Sequence, residues 1–315
     1  MKIAFVGKGG SGKTTLSSLF MRFLSAENNP VLAIDADINQ HLDEALGFGG
    51  DEKLQLPPMG IEIDRIKKYV RGSNSLIRSE SEMVKTTPPG RGSRLLKVNE
   101  SNDLYEYFAY EHDGIKLMAT GPFTEEDLGV KCYHSKTGAA ELLLNHLHED
   151  DGEYVVVDMT AGADSFASGM FTRFDTTFIV VEPTRKSINV YEQYKQHADG
   201  YYVNIKVIGN KIEDSEDEDF IRQYAKDDYT FGFSRSRYVK LMERGDTLSL
   251  EELEENNISA LKKMKETVDS TGQNWQRFYE QAVHFHRKNA ESWANASVGA
   301  DVTGQIDPEF SFPKR

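Results

Sequence analysis

The apolar residues of this chain fall into short unbroken runs, separated by stretches in which they recur at helical spacing. "KIAFV" (Lys2–Val6), "VLAID" (Val31–Asp35), "IKLMAT" (Ile115–Thr120), "YVVVDM" (Tyr154–Met159), "TTFIVVEP" (Thr176–Pro183) and "VNIKVIGNK" (Val203–Lys211) are the runs. Runs this short, rich in Val and Ile, predict strands covered on both faces. Between them, Leu16, Leu19, Phe20, Phe23 and Leu24 line one side of a predicted helix over Thr15–Glu27. Further helices are predicted over Thr137–Asp150, in "SINVYEQYKQHADG" closed by Gly200, and over Leu250–Ser270 and Asn274–Trp293. The acidic run "EDSEDED" (Glu213–Asp219) suits a solvated helix start, where acids complement the helix dipole. Alternating strands and helices predict an α/β fold: a doubly wound, mostly parallel sheet with helices on both faces.

The alternation breaks from Phe48 to Asp113, where "LQLPPMG" and "TTPPGRGS" are rich in Pro and Gly. This stretch predicts an insertion of short helices and loops over the ends of the sheet. The last stretch, "NASVGADVTGQIDPEFSFPKR", lacks helix signals and is expected to be extended or disordered. The expected organisation is a main domain over 1–270, interrupted at about 48–113, then a C-terminal helix and tail over 271–315.

Charge narrows the functions on offer. The chain has 315 residues, with 37 Lys and Arg against 51 Asp and Glu, a net charge of −14. Such a field repels nucleic acid and anionic membrane, and no dense Lys/Arg block offsets it. The single cysteine, Cys132, permits no intramolecular disulfide. No run approaches the roughly 20 apolar residues of a membrane span, and "MKIAFVGKGG" leads straight into a glycine-rich loop, so a cytoplasmic protein is expected.

That loop carries the chemistry. "GKGGSGKT" (Gly7–Thr14) fits the phosphate-loop pattern G-x-x-x-x-G-K-[ST], between a predicted strand and a predicted helix. Backbone N–H groups of Gly9, Gly10, Ser11 and Gly12 would form an anion nest, reinforced by the helix N-terminus. Lys13 would neutralise the β- and γ-phosphates of a nucleotide, Thr14 would ligate Mg²⁺, and Thr15 would extend toward the α-phosphate. A hydrolase also needs carboxylates, and Asp35, Asp37 and Asp158 stand where buried strands end. Asp158 is placed to hold Mg²⁺, Asp37 to orient water, and Gly162 to bring a backbone N–H near the γ-phosphate. Any one aspartate alone reads equally as a helix cap, Asp37 before "INQHLDEAL" included. The three together weigh toward chemistry.

"KGGSGKTT" resembles the deviant Walker A motif of the MinD/ParA-type ATPases of the SIMIBI class. The resemblance spans about residues 1–270 and implies a P-loop ATPase that dimerises on ATP. It implies that Lys8 crosses the dimer interface to the partner's nucleotide. "DADINQ" resembles switch I, assigning the catalytic aspartate to Asp37, although Ile38 stands where proline is usual. "DMTAG" resembles switch II and assigns Asp158 and Gly162. "VIGNK" resembles the strand end that reads adenine, through Asn210. "YTFGFSRSR", around Phe231–Ser234, corresponds to a segment flanking the base, without its usual proline.

Three branches of that family differ in what they act on. The net charge argues against the DNA-binding ParA branch. The tail, with no basic amphipathic helix, argues against the membrane-binding MinD branch. The layout of "GPFTEEDLGVKCYHSKTGAAELLLNHL" resembles the CooC branch, which serves metal-cofactor maturation, with Thr160 in place of a glutamate in "DMTAG". That branch carries C-x-C where this chain has "CYH". In a symmetric dimer, Cys132 and His134 would make a Cys₂His₂ set, a ligand number acceptable to zinc or nickel. They read equally as a half-buried cysteine and an ordinary loop histidine. His284 and His286 are expected at the surface. Trp275, Phe278, Tyr279 and Trp293 are expected to pack against the domain or dock a partner. The implied function is a Mg²⁺-dependent, ATP-hydrolysing homodimeric switch for an unidentified client protein. Its job is read either as metal-cofactor maturation or as recruiting or positioning a protein partner without metal.

Overall fold

The computed structural model describes residues 1–48, 54–122, 134–161 and 164–314. Eight strands form one sheet: β1 (Lys2–Gly7), β2 (Val31–Ala36), β3 (Tyr110–His112), β4 (Ile115–Ala119), β5 (Tyr154–Met159), β6 (Thr176–Val181), β7 (Ile205–Ile212) and β8 (Tyr229–Ser234). The order is β3-β4-β2-β5-β1-β6-β7-β8, and every pairing is parallel except that of β3 with β4. The six apolar runs are the interior strands. β3 and β8 are the two edges, and neither has a continuous apolar run. β8 alternates buried and half-buried residues, as an edge strand with one covered face must.

Among the described residues, twelve α-helices surround the sheet. α1 (Lys13–Ala26) and α2 (Leu42–Leu46) follow β1 and β2, and α3 (Ile63–Arg71) and α4 (Asp103–Phe108) belong to the insertion. α5 (His134–His146), α6 (Asp164–Ser168), α7 (Arg185–Ala198), α8 (Ser215–Ala225) and α9 (Arg237–Met242) complete the crossovers. α10 (Glu255–Asp269), α11 (Trp275–Asn289) and α12 (Asn295–Val298) close the chain. The acidic run is the start of α8, capped by Asp214, whose carboxylate accepts from Glu216 and Asp217 N–H.

Two apolar layers cover the sheet. One joins Phe5, Val156 and Phe178 to Leu16, Leu19 and Phe20 of α1 and to Leu261 and Met264 of α10. The other joins Val6, Ile34 and Val157 to Leu142 and Leu143 of α5. The insertion lies in this second layer rather than only over the sheet ends. Its Ile66, Val70, Met83, Leu96 and Phe108 are buried with α5. Leu96 pairs with Leu147 beyond α5, its N–H donating to His146 O at 2.9 Å. At the other end, Met59 and Gly60 N–H donate to the Ala119 and Thr120 carbonyls at 3.0 and 2.9 Å. A Cβ on Gly60 would stand 2.6 Å from Lys136 Cα, so only glycine permits this approach.

The tail also departs from expectation. Phe312 is buried among Trp275, Phe278, Phe310 and His148. Asp307 holds Arg91 of the insertion at 2.8 Å, and Gln305 donates to Glu82 O at 2.8 Å. Aromatic anchoring replaces the missing helix signals. His286 is not a surface residue but fully buried, bonded to Thr86 Oγ1 at 3.1 Å and Val302 O at 2.9 Å. Trp275 and Phe278 pack as expected, under the Lys2 ammonium at 4.2 and 4.6 Å.

Candidate functional site

β1 ends at Gly7 and α1 begins at Lys13, so the glycine loop crosses the C-terminal edge of the sheet. Ser11 N–H donates back to Lys8 O at 3.0 Å, tightening the loop. Gly12 has φ +88°, and a Cβ there would stand 2.2 Å from Asn210 Nδ2. Glycine is therefore required twice over at this position. Gly9 and Gly10 are exposed, and Thr15 opens the exposed side of α1.

Register brings the acids to the loop. Asp35 of β2 lies directly opposite Asp158 of β5, and β5 neighbours β1. Thr14 Oγ1 donates to Asp158 Oδ2 at 2.5 Å. Lys13 Nζ pairs closely with Asp37 and stands 3.5 Å from Asp158 Oδ1. Asp158 is 1% exposed, and its Oδ1 has no hydrogen-bond partner among the described residues. Asp35, not Asp37, holds the start of α2. Its carboxylate accepts from Leu42 N–H at 3.0 Å and from Asp37 N–H at 3.1 Å. Among the described residues, the one backbone N–H that Asp37 accepts is the local Asn39 N–H, at 3.0 Å, which leaves its other oxygen to Lys13.

Three carboxylates around one ammonium strain one another. Burial pushes Asp158 up to about 6, although the Lys13 charge and the Thr14 hydroxyl pull it down. Burial and the Asp158 charge push Asp35 up to about 7. Burial opposes the Lys13 charge, but Asp158, Asp37 and Asp35 outweigh it and raise the ammonium above its ordinary value.

The end of β7 grips the loop from outside. Asn210 Nδ2 donates to Ser11 O at 2.7 Å, and Lys211 Nζ donates to Gly10 O at 2.7 Å and to Glu182 Oε1 at 2.6 Å. Lys211 adopts φ +60°, unusual for a side-chain-bearing residue. Lys211 and Glu182 escaped the sequence reading, which took only the asparagine from "VIGNK". Lys8 is half-buried at the mouth of the loop and, among the described residues, has no ion pair or hydrogen bond through its ammonium. Phe231 and Phe233 of β8 are buried in the core, so those rings cannot flank a base. Cys132 and Gly162 lie outside the described residues, and so does the side chain of His134, the first residue of α5.

The donors suit Mg²⁺. A buried carboxylate with a free oxygen and an adjacent hydroxyl are hard oxygen ligands, and Mg²⁺ with a nucleotide takes few protein ligands beside phosphates and water. Among the described residues, no group of three or more His, Cys, Asp or Glu could hold a metal ion by itself. No helix among them is long and apolar enough to cross a membrane.

The chain as a whole resembles known proteins. Residues 3–286 match the CobQ/CobB/MinD/ParA nucleotide binding domain. The chain belongs to that family. It is 31% identical over 222 residues to the carbon monoxide dehydrogenase accessory protein CooC of Rhodospirillum rubrum, covering 70% of this chain and 78% of that one. It is 30% identical over 230 residues to an uncharacterized ATP-binding protein of Methanocaldococcus jannaschii, covering 72% of this chain and 81% of the relative. The fold resembles a ParA family ATPase from Chlorobium tepidum, with TM-score 0.54 at 15% identity over 90% of this chain and 97% of the other. It also resembles a chain of the MinC:MinD cell division complex of Aquifex aeolicus, with TM-score 0.50 at 19% identity over 87% and 97%.

Proposed function

We propose that this protein is a Mg²⁺-dependent ATPase whose ATP-bound form is a homodimer, working as a switch for a client protein. The observation that carries the reading is the Lys13–Thr14–Asp158–Asp37 cluster at the loop, with the unpaired Lys8 beside it. Lys13 exchanges Asp37 for the nucleotide's phosphates. Asp37, freed from Lys13, orients the attacking water. Thr14 and Asp158 would hold Mg²⁺, which would withdraw charge from the phosphate oxygens. The loop amides from Gly9 to Gly12, with Thr15 and Gly162, complete the phosphate site. Asn210 keeps its carbonyl oxygen and one N–H for adenine after bonding Ser11 O. No acid among the described residues pairs with Lys8, which supports a role toward the partner's nucleotide.

The test is sedimentation velocity of wild type and Lys8→Ala with Mg²⁺ and ATP. Wild type is expected to dimerise, and the variant to stay monomeric while binding ATP within about twofold of wild type. A variant that dimerises as wild type does would remove Lys8 from the interface.

The 31% identity to a carbon monoxide dehydrogenase accessory protein supports metal-cofactor maturation as the job. Bound zinc and nickel per dimer, measured with ATP in wild type and Cys132→Ser, tests the Cys132/His134 set. Equal, near-zero occupancy in both leaves the metal-free, partner-recruiting reading.

A further inference from the structure

On a chain of net charge −14, the insertion presents three exposed cations without an acid of their own among the described residues. Arg65 and Lys68 are exposed on α3, and Arg94 is exposed beside it. The Arg65 guanidinium lies 3.8 Å over the Tyr107 ring, and that of Arg94 lies 4.8 Å over Tyr69. None of the three cations forms an ion pair among the described residues. Acids lie nearby, Glu62 and Asp64 at the head of α3 and Glu106 on α4, but none pairs with these cations among the described residues. Asp64 pairs with Lys67 at 3.1 Å, and Glu100 accepts from Asn102 at 2.9 Å. Glu100 and Asp103 act on the Tyr69 hydroxyl, but neither pairs with Arg94. At the head of α3, Ile61 is 62% exposed, an apolar anchor beside the cations.

We propose that this face docks a protein partner through a carboxylate-rich surface. The tyrosines hold two guanidiniums in place, and an oriented guanidinium fork matches a carboxylate bidentately. The same stacking uses up the aromatic faces that single-stranded nucleic acid would need. The chain's overall negative field opposes a long polyanion or an anionic membrane. A local acidic patch on a folded protein is felt mainly within the Debye length of about 8 Å.

The face is tied to the nucleotide loop. Gly60 N–H donates to Thr120 O at 2.9 Å, one residue before Ile61. Thr120 N–H and Oγ1 both donate to Asp35 O, at 2.9 and 3.1 Å, and Gln40 Nε2 reaches Thr120 Oγ1 at 3.4 Å. Asp35 and Gln40 bracket Asp37. A shift of the Asp37 loop therefore bears on the head of α3 through Thr120. This coupling rests on the ATP reading above; the docking face does not.

The probe is a fluorescent fifteen-residue polyglutamate peptide, followed by anisotropy at two salt concentrations. Wild type is expected to bind it, more weakly at higher salt. The triple variant Arg65→Ala/Lys68→Ala/Arg94→Ala is expected to lose roughly tenfold in affinity, the sum of three exposed ion pairs. Lys262→Ala/Lys263→Ala, on the exposed side of α10, is expected to bind as wild type. Equal binding by the triple variant overturns the proposal. So does tighter binding of duplex DNA or phosphatidylglycerol vesicles than of the peptide. With ATP present, the wild-type affinity is expected to change, and Thr120→Val to shrink that change; an affinity indifferent to ATP overturns the coupling. ATP binding is titrated separately, so a protein that binds peptide but no ATP refutes the earlier reading and leaves this face standing.

Discussion

Replacing Asp158 by asparagine should make the nucleotide-free protein more stable while disabling its site. The carboxyl is 1% exposed and faces Asp35 and Asp37, with Lys13 as the shared cation. Its folded value of about 6 stands about two units above the unfolded 3.8, which is worth roughly 3 kcal/mol in favour of the protonated form. Between those values the folded chain binds the extra proton. Stability therefore falls as pH rises through this window and stays low above it. Asparagine resembles the protonated acid and keeps an acceptor for the Thr14 hydroxyl. The variant should gain roughly 3 kcal/mol at pH 8 but only about 1 kcal/mol at pH 4.5. Removing the Asp158 charge also relieves Asp35, whose carboxyl it raises, so the remaining pH slope flattens further.

The assay is thermal unfolding in EDTA without nucleotide, at pH 4.5 and 8. The gain at pH 8 should appear as a rise of roughly 5 °C in Tm. ATP titration with and without Mg²⁺ on the same samples should show that the Mg²⁺-dependent part of binding is lost. Simple damage lowers stability and binding together. An Asp158→Asn protein that melts at or below wild type at pH 8, or keeps the wild-type pH slope, would refute the account of crowded carboxylates.

Lys211→Ala should raise the KM for ATP several-fold with kcat nearly unchanged, because the lysine holds Gly10 O and touches no reacting group; Lys211→Arg should restore most of it, and a fall in kcat alone would contradict the bracing role. Phe312→Ala should cost about 3 kcal/mol of stability in urea denaturation, since its ring is buried among Trp275, Phe278 and Phe310; a loss below about 0.5 kcal/mol would mean that the tail contributes little to the fold.

The interior of the sheet was legible because strands buried on both faces must be written in unbroken Val and Ile. The loop was legible because glycine, lysine and threonine at fixed spacing serve a chemistry that few other residues can perform. The edges were not. β8 shows only one covered face, so "YTFGFS" lacks a continuous run, and the phenylalanines set aside for a base are core residues. The insertion and tail were misjudged for a related reason. Their apolar residues are spaced irregularly because each meets a different neighbour. Met59 meets the end of β4, Leu96 the end of α5, and Phe312 a cage of aromatics. Periodicity detects regular elements against a layer and is blind to single anchors. Buried His286 is such an anchor, bonding Thr86 of the insertion, 200 residues away, and Val302 of the tail.

The balance of charge at the loop bears on why one lysine there does not suffice. Asp35, Asp37 and Asp158 converge on Lys13, so the ligand-free site carries more negative than positive charge even with Asp35 held near 7. Polyphosphate brings further negative charge. Lys211 cannot offset it, because its ammonium is engaged by Glu182 and Gly10 O. Lys13 can turn to phosphate only by leaving Asp37 uncompensated. The electrostatics thus call for cations from outside this set, and Mg²⁺, which Thr14 and Asp158 would hold, would supply part of them. Lys8 is the lysine of the loop that no described acid claims, and a second copy would bring a second Lys8. The more strongly the carboxylates hold Lys13, the more ATP binding within one subunit would depend on Mg²⁺, and the more uncompensated charge the bound nucleotide would present to the Lys8 of a second copy. That remainder is what a switch would require, since a site able to neutralise ATP fully by itself would give the bound nucleotide no reason to recruit a partner.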